Sequence, residues 1–299
     1  MTALSSVGGA LLVVVALRDV FDTLVHPHGR GVVSQGVIRL TWRVMRTLVR
    51  GNHAALSLAG PVAFIGVIVV WGALVAVGFS LLLWPHFPEG FAMGGGAAVA
   101  GGGHFDDALY LSLVNLTSLG YGDIVATGDF LRFLGPFETL IGLGLLTASI
   151  SWILFLYRVL GDYRSLSHEI SLLSDTERTS GIGLASVDPP VAARVLADLT
   201  SRVVTMRDDL LHSPIAYYFR PREPRHALPV LLPSLLAVVE ECSRDGNPPA
   251  LRFQAVMLGQ AIEDLLSTIA SQFVGTHTGD PDEALTAYRR DHLWATSTP

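Results

Sequence analysis

The sequence contains no lysine, a single cysteine and few charged side chains of any kind. All 20 basic residues are arginine, and charged residues make up 15% of the 299 positions. The single thiol, Cys242, excludes an intramolecular disulfide and belongs to no spacing typical of metal ligands. With 50% hydrophobic residues and a mean hydropathy of +0.48, the chain is too apolar for an ordinary soluble protein.

Two long stretches lack Asp, Glu, Lys and Arg altogether. The first runs from Gly51 to Pro88 and the second from Thr139 to Tyr157. Each matches or exceeds the roughly 20 residues with which a helix crosses a bilayer. A buried core helix would explain one such run, but two runs favour a multi-pass protein of the cell membrane. We therefore predict an all-α membrane protein.

An N-terminal hydrophobic helix is predicted within residues 1–25. This segment contains the apolar run GGALLVVVAL and ends with Arg18, Asp19 and Asp22. The apolar part is short for a span, so an interfacial helix is the alternative to a transmembrane one. Charges in lipid are costly, and the charged end is expected at a membrane surface or packed against protein.

A basic amphipathic helix is predicted within residues 26–56. Four arginines at steps of four, three and four share one helical face, namely Arg39, Arg43, Arg46 and Arg50. The adjacent apolar face consists of Ile38, Trp42, Met45 and Val49. We predict a cytoplasmic linker that lies on anionic lipid through these arginines. A voltage sensor is the alternative, but the preceding residues leave no room for its four-helix module.

Residues 57–164 are predicted to form two apolar helices around a short insertion. The segments are an outer helix over 57–84, an extracellular loop over 85–104, a short helix with a motif over 105–123 and an inner helix over 135–158. Trp84 is a candidate interfacial anchor, and Asp106 or Asp107 can cap the short helix. That helix is too short to span and is expected to re-enter the membrane from outside.

The insertion contains the stretch LVNLTSLGYGDIVATG. Irregular backbone at membrane depth is tolerated only where it is buried in protein or lines a water-filled cavity. Gly120 and Gly122 can adopt conformations closed to other residues, so that successive carbonyls point one way. Carbonyl oxygens stacked around an axis can replace the hydration shell of a cation.

Ser118-Leu119-Gly120-Tyr121-Gly122-Asp123 resembles the Thr-Val-Gly-Tyr-Gly-Asp filter of tetrameric potassium channels, and the resemblance covers residues 57–157. It implies a helix–pore loop–helix potassium-channel pore, with an extra N-terminal helix and a helical cytoplasmic domain in this chain. It also implies that potassium binds to carbonyls of Ser118, Leu119, Gly120 and Tyr121, with the Ser118 hydroxyl innermost. The implied supporting residues are Thr117, Gly122, Asp123 at the outer mouth, Glu138, and the bracing side chain of Tyr121.

The resemblance also implies a gate in the inner helix. The glycine hinge of the family corresponds to Gly142 or Gly144, although glycine serves helix packing as well. The candidates for an apolar inner constriction are Leu146, Ile150 and Leu154. One filter segment cannot close a ring, so the resemblance and closed symmetry imply a homotetramer.

Residues 165–299 are predicted to form a cytoplasmic all-helical domain that regulates or assembles the pore. They hold 17 acidic and 11 basic residues, which accounts for the net charge of −6. Helical periodicity covers 190–212, 227–243 and 248–274, and prolines interrupt 213–233. Gly181–Ser186, GIGLAS, lacks the preceding strand of a dinucleotide loop and is interpreted as a linker.

We predict a potassium-selective channel that conducts passively and is not an enzyme. Potassium ions in the filter are the expected ligands, without an organic cofactor or a nucleic-acid partner. In the C-terminal half, the residues of types that can act in catalysis are His212, His226, Glu240, Glu241 and Asp264. Their spacing matches no metal-binding, nucleophile or phosphate-binding motif. The alternative function is a membrane receptor or scaffold with a vestigial pore, whose C-terminal domain binds a partner.

The arginine distribution predicts the topology. A reporter fused after Arg50 should register as cytoplasmic and one placed within 94–103 as external, because arginine-rich flanks stay inside. Paired alkaline phosphatase and fluorescent protein fusions measure this. Both positions on one side of the membrane would contradict the two-span pattern of residues 57–157.

Overall fold

The computed structural model describes residues 2–26, 31–49, 53–94, 105–276 and 280–294. It shows an all-α membrane protein. In the described residues, three helical stretches are long and apolar enough to cross a bilayer, and these are Ala3–Leu24, Ala54–His86 and Asp129–Ser180. The N-terminal helix therefore has the length that a span requires.

The elements follow one another as helices, with one short pair of strands among the described residues. The helices are α1 (Thr2–Leu24), α2 (Val32–Leu48), α3 (His53–Leu56), α4 (Ala59–Leu83), α5 (Phe105–Leu116), α6 (Asp129–Ser180), α7 (Pro189–His212), α8 (Leu228–Ser243), α9 (Pro249–Ile269) and α10 (Pro281–Asp291). Strand β1 (Phe91–Met93) pairs antiparallel with β2 (Ile124–Ala126). Short 3₁₀ turns occupy Trp84–His86, Leu184–Ser186, Pro214–Tyr218 and Pro224–His226, and a π turn occupies Ala270–Val274.

The chain divides into two compact units. The membrane unit comprises Met1–Thr41 and Val62–Phe155, and the C-terminal unit comprises Trp42–Pro61 and Leu156–Pro299. This division corrects the predicted boundaries, which placed a separate linker at 26–56 and the C-terminal domain from residue 165. Helices α2, α4 and α6 each contribute residues to both units.

The second part of the predicted linker, from Trp42 onward, joins the C-terminal unit because its side chains are packed there. Trp42 is only 6% exposed, and its ring lies 5.5 Å from that of Tyr218. Gly60 sits so close to Phe219 that a Cβ would lie 2.5 Å from the ring. Residues 42–61 are therefore a structural part of this unit.

In the membrane unit, α1 and α4 cross at two glycines. A Cβ on Gly78 would lie 2.7 Å from a methyl carbon of Val13 and 2.9 Å from the carbonyl oxygen of Gly9. Small residues at a helix crossing allow the close backbone approach on which packing in membranes depends. The N-terminal helix is thus packed against the outer helix, as a transmembrane helix would be.

The charged end of α1 is packed against protein. The buried carboxylate of Asp19 accepts hydrogen bonds from the backbone N–H groups of Val33 (2.7 Å) and Ser34 (2.9 Å). It also accepts the indole N–H of Trp71 at 2.8 Å. A carboxylate at the first turn of α2 satisfies free N–H groups and matches the helix dipole. One side chain therefore joins α1, α2 and α4.

The connection after α4 is more ordered than the predicted loop over 85–104. Up to Gly94 it contains a 3₁₀ turn and β1, whereas residues 95–104 lie outside the described part of the chain. Phe87 and Phe91 stack at 4.1 Å between ring centroids. They belong to a buried cluster with Leu83, Ala108, Leu111, Ile124 and Leu131. These aromatic contacts override the loop-like composition.

The inner helix is longer than predicted. Helix α6 runs from Asp129 to Ser180 instead of 135–158, with Pro136 inside it. Asp129 in the first turn suits the positive end of the helix dipole. The helix ends only where Gly181 adopts a left-handed φ of 68°. The predicted boundary at 164 therefore falls within a continuous helix.

The predicted helices of the C-terminal unit are confirmed. Helices α7, α8 and α9 correspond to the periodic stretches at 190–212, 227–243 and 248–274. The proline-rich segment is broken into 3₁₀ turns, but Pro229 and Pro233 lie inside α8. Leu196, Leu258 and Leu265 are completely buried, in line with their apolar periodicity. Helix α10 was not predicted.

The glycine crossing of α1 and α4 predicts the effect of adding one methyl group. Gly78→Ala should lower the melting temperature in detergent, because overpacking costs about 1–3 kcal/mol. Gly72→Ala is the matched control, since a Cβ there meets nothing within 4 Å. Circular dichroism melting of both variants makes the comparison. Equal melting temperatures would contradict a tight crossing at Gly78.

Candidate functional site

Helix α5 is a short helix that ends at the filter motif. It begins at Phe105, so Asp106 and Asp107 lie in its first turn rather than at the predicted cap position. Both still stabilise the helix through its dipole. At the other end, the Thr117 hydroxyl donates to the carbonyl of Leu113 at 2.6 Å and closes the last turn.

The filter segment has an alternating backbone. The φ angles are 58° at Ser118, 57° at Gly120 and 76° at Gly122, whereas Leu119 and Tyr121 do not have positive φ. For glycine this region carries no steric penalty. For other residues it costs about 1–2 kcal/mol, and β-branched side chains adopt it least readily. Serine at position 118 therefore fits this backbone better than the threonine of the resembling filters.

The carbonyls of the filter segment are available to a ligand. Within the described residues, the carbonyl oxygens of Ser118, Leu119, Gly120 and Tyr121 accept no hydrogen bond. The same residues are exposed in a single chain. Tyr121 itself is 66% exposed, so the side chain predicted to brace the filter is largely uncovered within one chain. Unpaired backbone carbonyls need water, an ion or a neighbouring chain.

Asp123 is fixed at the end of the filter. Its carboxylate accepts the hydroxyl of Tyr110 at 2.7 Å and its own carbonyl accepts the N–H of Gly94 at 2.8 Å. Tyr110 was missed in the sequence, because only the fold brings a side chain of α5 to a residue 13 positions later. The pair ties the middle of α5 to the far end of the filter segment.

Glu138, a predicted supporting residue of the filter, lies against α5. Its fully buried carboxylate contacts the hydroxyl of Ser112 and accepts the side-chain amide of Asn115 at 3.2 Å. Thr139 adds a hydroxyl bond to the carbonyl of Asn115 at 2.9 Å. A buried carboxylate is costly unless it is hydrogen-bonded, so these contacts fix α6 to α5 in one register.

The two hinge candidates differ in their surroundings. A Cβ on Gly142 would overlap with the carbonyl oxygen of Leu116, the last residue of α5. A Cβ on Gly144 would meet nothing within 4 Å. Gly142 thus has a packing role, since it lets the backbone of α6 approach the end of α5. Its distance from the filter alone does not identify a hinge.

The comparisons with known proteins match the same part of the chain. Residues 66–155 match the sequence profile of a family described as "Ion channel". This segment is thus similar to an ion-channel domain. It contains α5, the filter segment and the part of α6 that packs on them.

A relative supports the membrane location. The uncharacterized membrane protein YdjJ of Bacillus subtilis (strain 168) is 25% identical over 166 residues, which is 55% of this chain and 47% of that protein. The chain thus spans about half the length of the curated relative it matches. No solved structure matches the chain.

The predicted constriction residues form an uncovered stripe on the inner helix of the channel domain. Leu146, Ile150 and Leu154 follow at four-residue steps and are 59%, 52% and 65% exposed in a single chain. Residues at this spacing share one helical face. The stripe is thus available to line an apolar passage or to face lipid or another chain.

The polar C-terminal candidates are not gathered into a site. Asp264 pairs with Arg207 at 2.8 Å, and Glu240 lies 3.7 Å from Arg244. His212 contacts the carbonyl of Asp208. In the part of the chain that the structure describes, no cluster of His, Cys, Asp or Glu has the form of a metal site.

The GIGLAS segment, interpreted as a linker, contains a short 3₁₀ turn. Leu184 starts this turn and donates its N–H to Glu177 at 2.8 Å.

The contact at Gly142 predicts a difference between neighbouring glycines. Gly142→Ala should abolish or strongly reduce ion flux, because the added methyl group pushes the end of α5 and the filter out of place. Gly144→Ala, with free space around it, should retain flux. Flux into liposomes containing equal amounts of each purified protein measures this. Loss of flux in both variants would instead favour a hinge function for the pair.

Proposed function

We propose that the chain forms a potassium-selective channel that conducts passively through a ring of four copies. The observation that carries the proposal is the filter segment, with its alternating φ angles at Ser118, Gly120 and Gly122. This alternation is what a ladder of carbonyls turned to one side requires. The four carbonyls from Ser118 to Tyr121 are the ligands in the proposal, and potassium is the transported ion.

The surroundings of the filter support selectivity. A carbonyl ladder selects an ion only if its oxygens hold their spacing as the ion loses its water. Tyr110 holds Asp123 at one end, and Gly142 with the Glu138 cluster holds α5 at the other. Both ends of the segment are thus fixed by groups outside it.

Four copies are proposed because one chain supplies one filter segment. The segment and the stripe of Leu146, Ile150 and Leu154 are exposed in a single chain. A closed ring of identical chains covers such surfaces around one axis. The stripe then lines the inner passage, where an apolar constriction gates by excluding water.

The proposed orientation, with the C-terminus in the cytoplasm, is supported by the distribution of the arginines. The proposed lipid contact involves only two of the four arginines that were predicted to contact lipid. Arg46 pairs with Asp291 at 2.6 Å, and Arg50 lies outside the described residues. Arg39 and Arg43 remain exposed, on a face of α2 that also presents Leu40, Val44 and Leu48. Arginines beside exposed leucines suit an anionic membrane surface.

Regulation is proposed to act through the continuous helix α6. In the C-terminal unit, the Leu228 N–H donates to the Tyr163 hydroxyl at 3.1 Å, and Arg202 pairs with Glu169 at 2.8 Å. These bonds connect α8 and α7 to the part of α6 that follows the channel domain. A ligand of this unit can shift opening only by binding one arrangement more tightly than the other.

The filter proposal predicts that a methyl group added at Gly120 disturbs function through the backbone, since a Cβ there meets nothing within 4 Å. Gly120→Ala should abolish selective potassium flux, because alanine at a φ of 57° is strained by about 1–2 kcal/mol in each copy. Gly128→Ala is the matched control just beyond the filter, where a Cβ meets only a methyl carbon at 3.9 Å. Both proteins should insert normally.

The measurement is potassium against sodium flux in liposomes containing only the purified protein. Selectivity that persists in Gly120→Ala would refute the role of the filter. Absence of any flux in the unaltered protein would favour the alternative, a receptor or scaffold with a vestigial pore.

A further inference from the structure

The C-terminal unit contains a buried histidine that neither the filter nor the inner helix uses. His292 follows α10 and is 2% exposed. Three aromatic rings surround it, with centroids 4.6 Å away for Tyr217, 4.9 Å for Tyr288 and 5.3 Å for Trp42. Within the described residues, neither ring nitrogen of His292 has a hydrogen-bond partner. We call this set of four rings the His292 cage.

One wall of the cage comes from a distant part of the sequence. Trp42 belongs to α2, and its ring also lies edge-on to Tyr218 at 5.5 Å. One turn further along α2, Arg46 pairs with Asp291 at 2.6 Å. Asp291 also accepts the hydroxyl of Tyr217 at 2.7 Å. The second half of α2 is thus held by an aromatic contact and by an ion pair beside the histidine.

The charges around His292 oppose its protonation. Arg46 approaches from α2, and Arg220, after the 3₁₀ turn, donates from Nε to the carbonyl of His292 at 2.7 Å. The carboxylate of Asp291 is engaged by Arg46 and Tyr217. The Tyr217 and Tyr288 rings that pack against the imidazole also carry titratable hydroxyls. Burial, together with Arg220 and Arg46, lowers the pKa of His292 to about 3.

The direction of the pH effect follows from proton counting. In the closed cage the three rings bury His292, and in an open cage the imidazole would be exposed to water. An exposed imidazole has a pKa near 6.5, so between about pH 6.5 and pH 3 the open cage binds a proton that the closed cage does not. Stability rises with pH wherever the open form binds more protons. The closed cage is therefore fully stable above this range and weakens as the pH falls through it. The ratio of closed to open changes by up to about tenfold per pH unit.

We propose that the His292 cage is an acid-released latch that holds the second half of α2 on the C-terminal unit. Protonation of His292 creates an imidazolium that is repelled by Arg46 and Arg220. The cage then opens by movement of Trp42, with the second half of α2, away from the other rings. Helix α2 is anchored at its other end by Asp19, so release frees it only at the Trp42 end. If the proposed channel function holds, this release couples acid to opening.

Distances between spin labels test the latch in the full-length protein. One label pair replaces the exposed residues Thr47 on α2 and Thr286 on α10. A second pair, Thr286 and Ser201, reports whether α10 stays on α7. Cys242 remains in place, because its thiol is completely buried and burial raises its pKa to about 11. Singly labelled proteins identify distances between copies.

The 47–286 pair should give one narrow distance at pH 7.5 and a second, longer distance that grows as the pH falls to 4.5. The 286–201 pair should not change. His292→Gln or His292→Phe should remove the acid response, whereas His168→Gln, an exposed histidine of the same unit, should keep it. Trp42→Ala should give the long distance at both pH values.

The latch would be overturned by an unchanged 47–286 distance down to pH 4.5. An acid response that survives in both His292 variants, or movement of the 286–201 pair instead, would overturn it equally. These readouts need no ion flux. A protein that fails to conduct but shows the distance change therefore refutes the channel proposal and leaves the latch standing.

Discussion

The position of the filter depends on the contact between Gly142 and the carbonyl of Leu116. Helix α5 ends at Leu116, and the filter begins two residues later, so the backbone of α6 decides where the first carbonyl lies. Any side chain at position 142 would occupy the space of that carbonyl. Glu138, one turn earlier, adds hydrogen bonds to the same end of α5. Close packing and buried polar bonds together replace the rigidity that an irregular segment lacks.

The C-terminal unit is built to hold two helices that also belong to the membrane unit. Its α7 and α8 bind α6 through Asp209 with Arg158 and through the Tyr163 hydroxyl. Its cage at His292 holds α2 through Trp42 and Arg46. The first set is polar and partly exposed, whereas the cage is apolar and buried. Salt and pH are therefore expected to act differently on the two attachments. Salt screens the exposed ion pair, whereas protonation of His292 disfavours its burial in the proposed latch.

Much of the fold was predictable from local pattern. Charge-free runs located the long spans, and the helical periodicity located α7, α8 and α9, because both signals depend on neighbours along the chain. The short strand β1 within the loop predicted at 85–104 was not predicted, since it exists through pairing with β2 rather than through its own sequence. Tyr110 gave no signal for the same reason. Its partner Asp123 becomes a neighbour only when the chain turns back after α5.

The sequence alone predicted the ion-channel character, because the glycine spacing of the proposed filter and the flanking apolar runs are local requirements of backbone conformation and bilayer thickness. It also predicted an amphipathic α2, but assigned the whole helix to the membrane surface, with its arginines on anionic lipid and no partner for its apolar face. Tertiary structure decided that Trp42 of this face is packed in protein instead. It also gave Gly142 a packing partner and left Gly144 free. Such assignments depend on which surfaces meet in the fold. The amphipathicity of a helix and the spacing of its glycines do not reveal which surface the helix packs against.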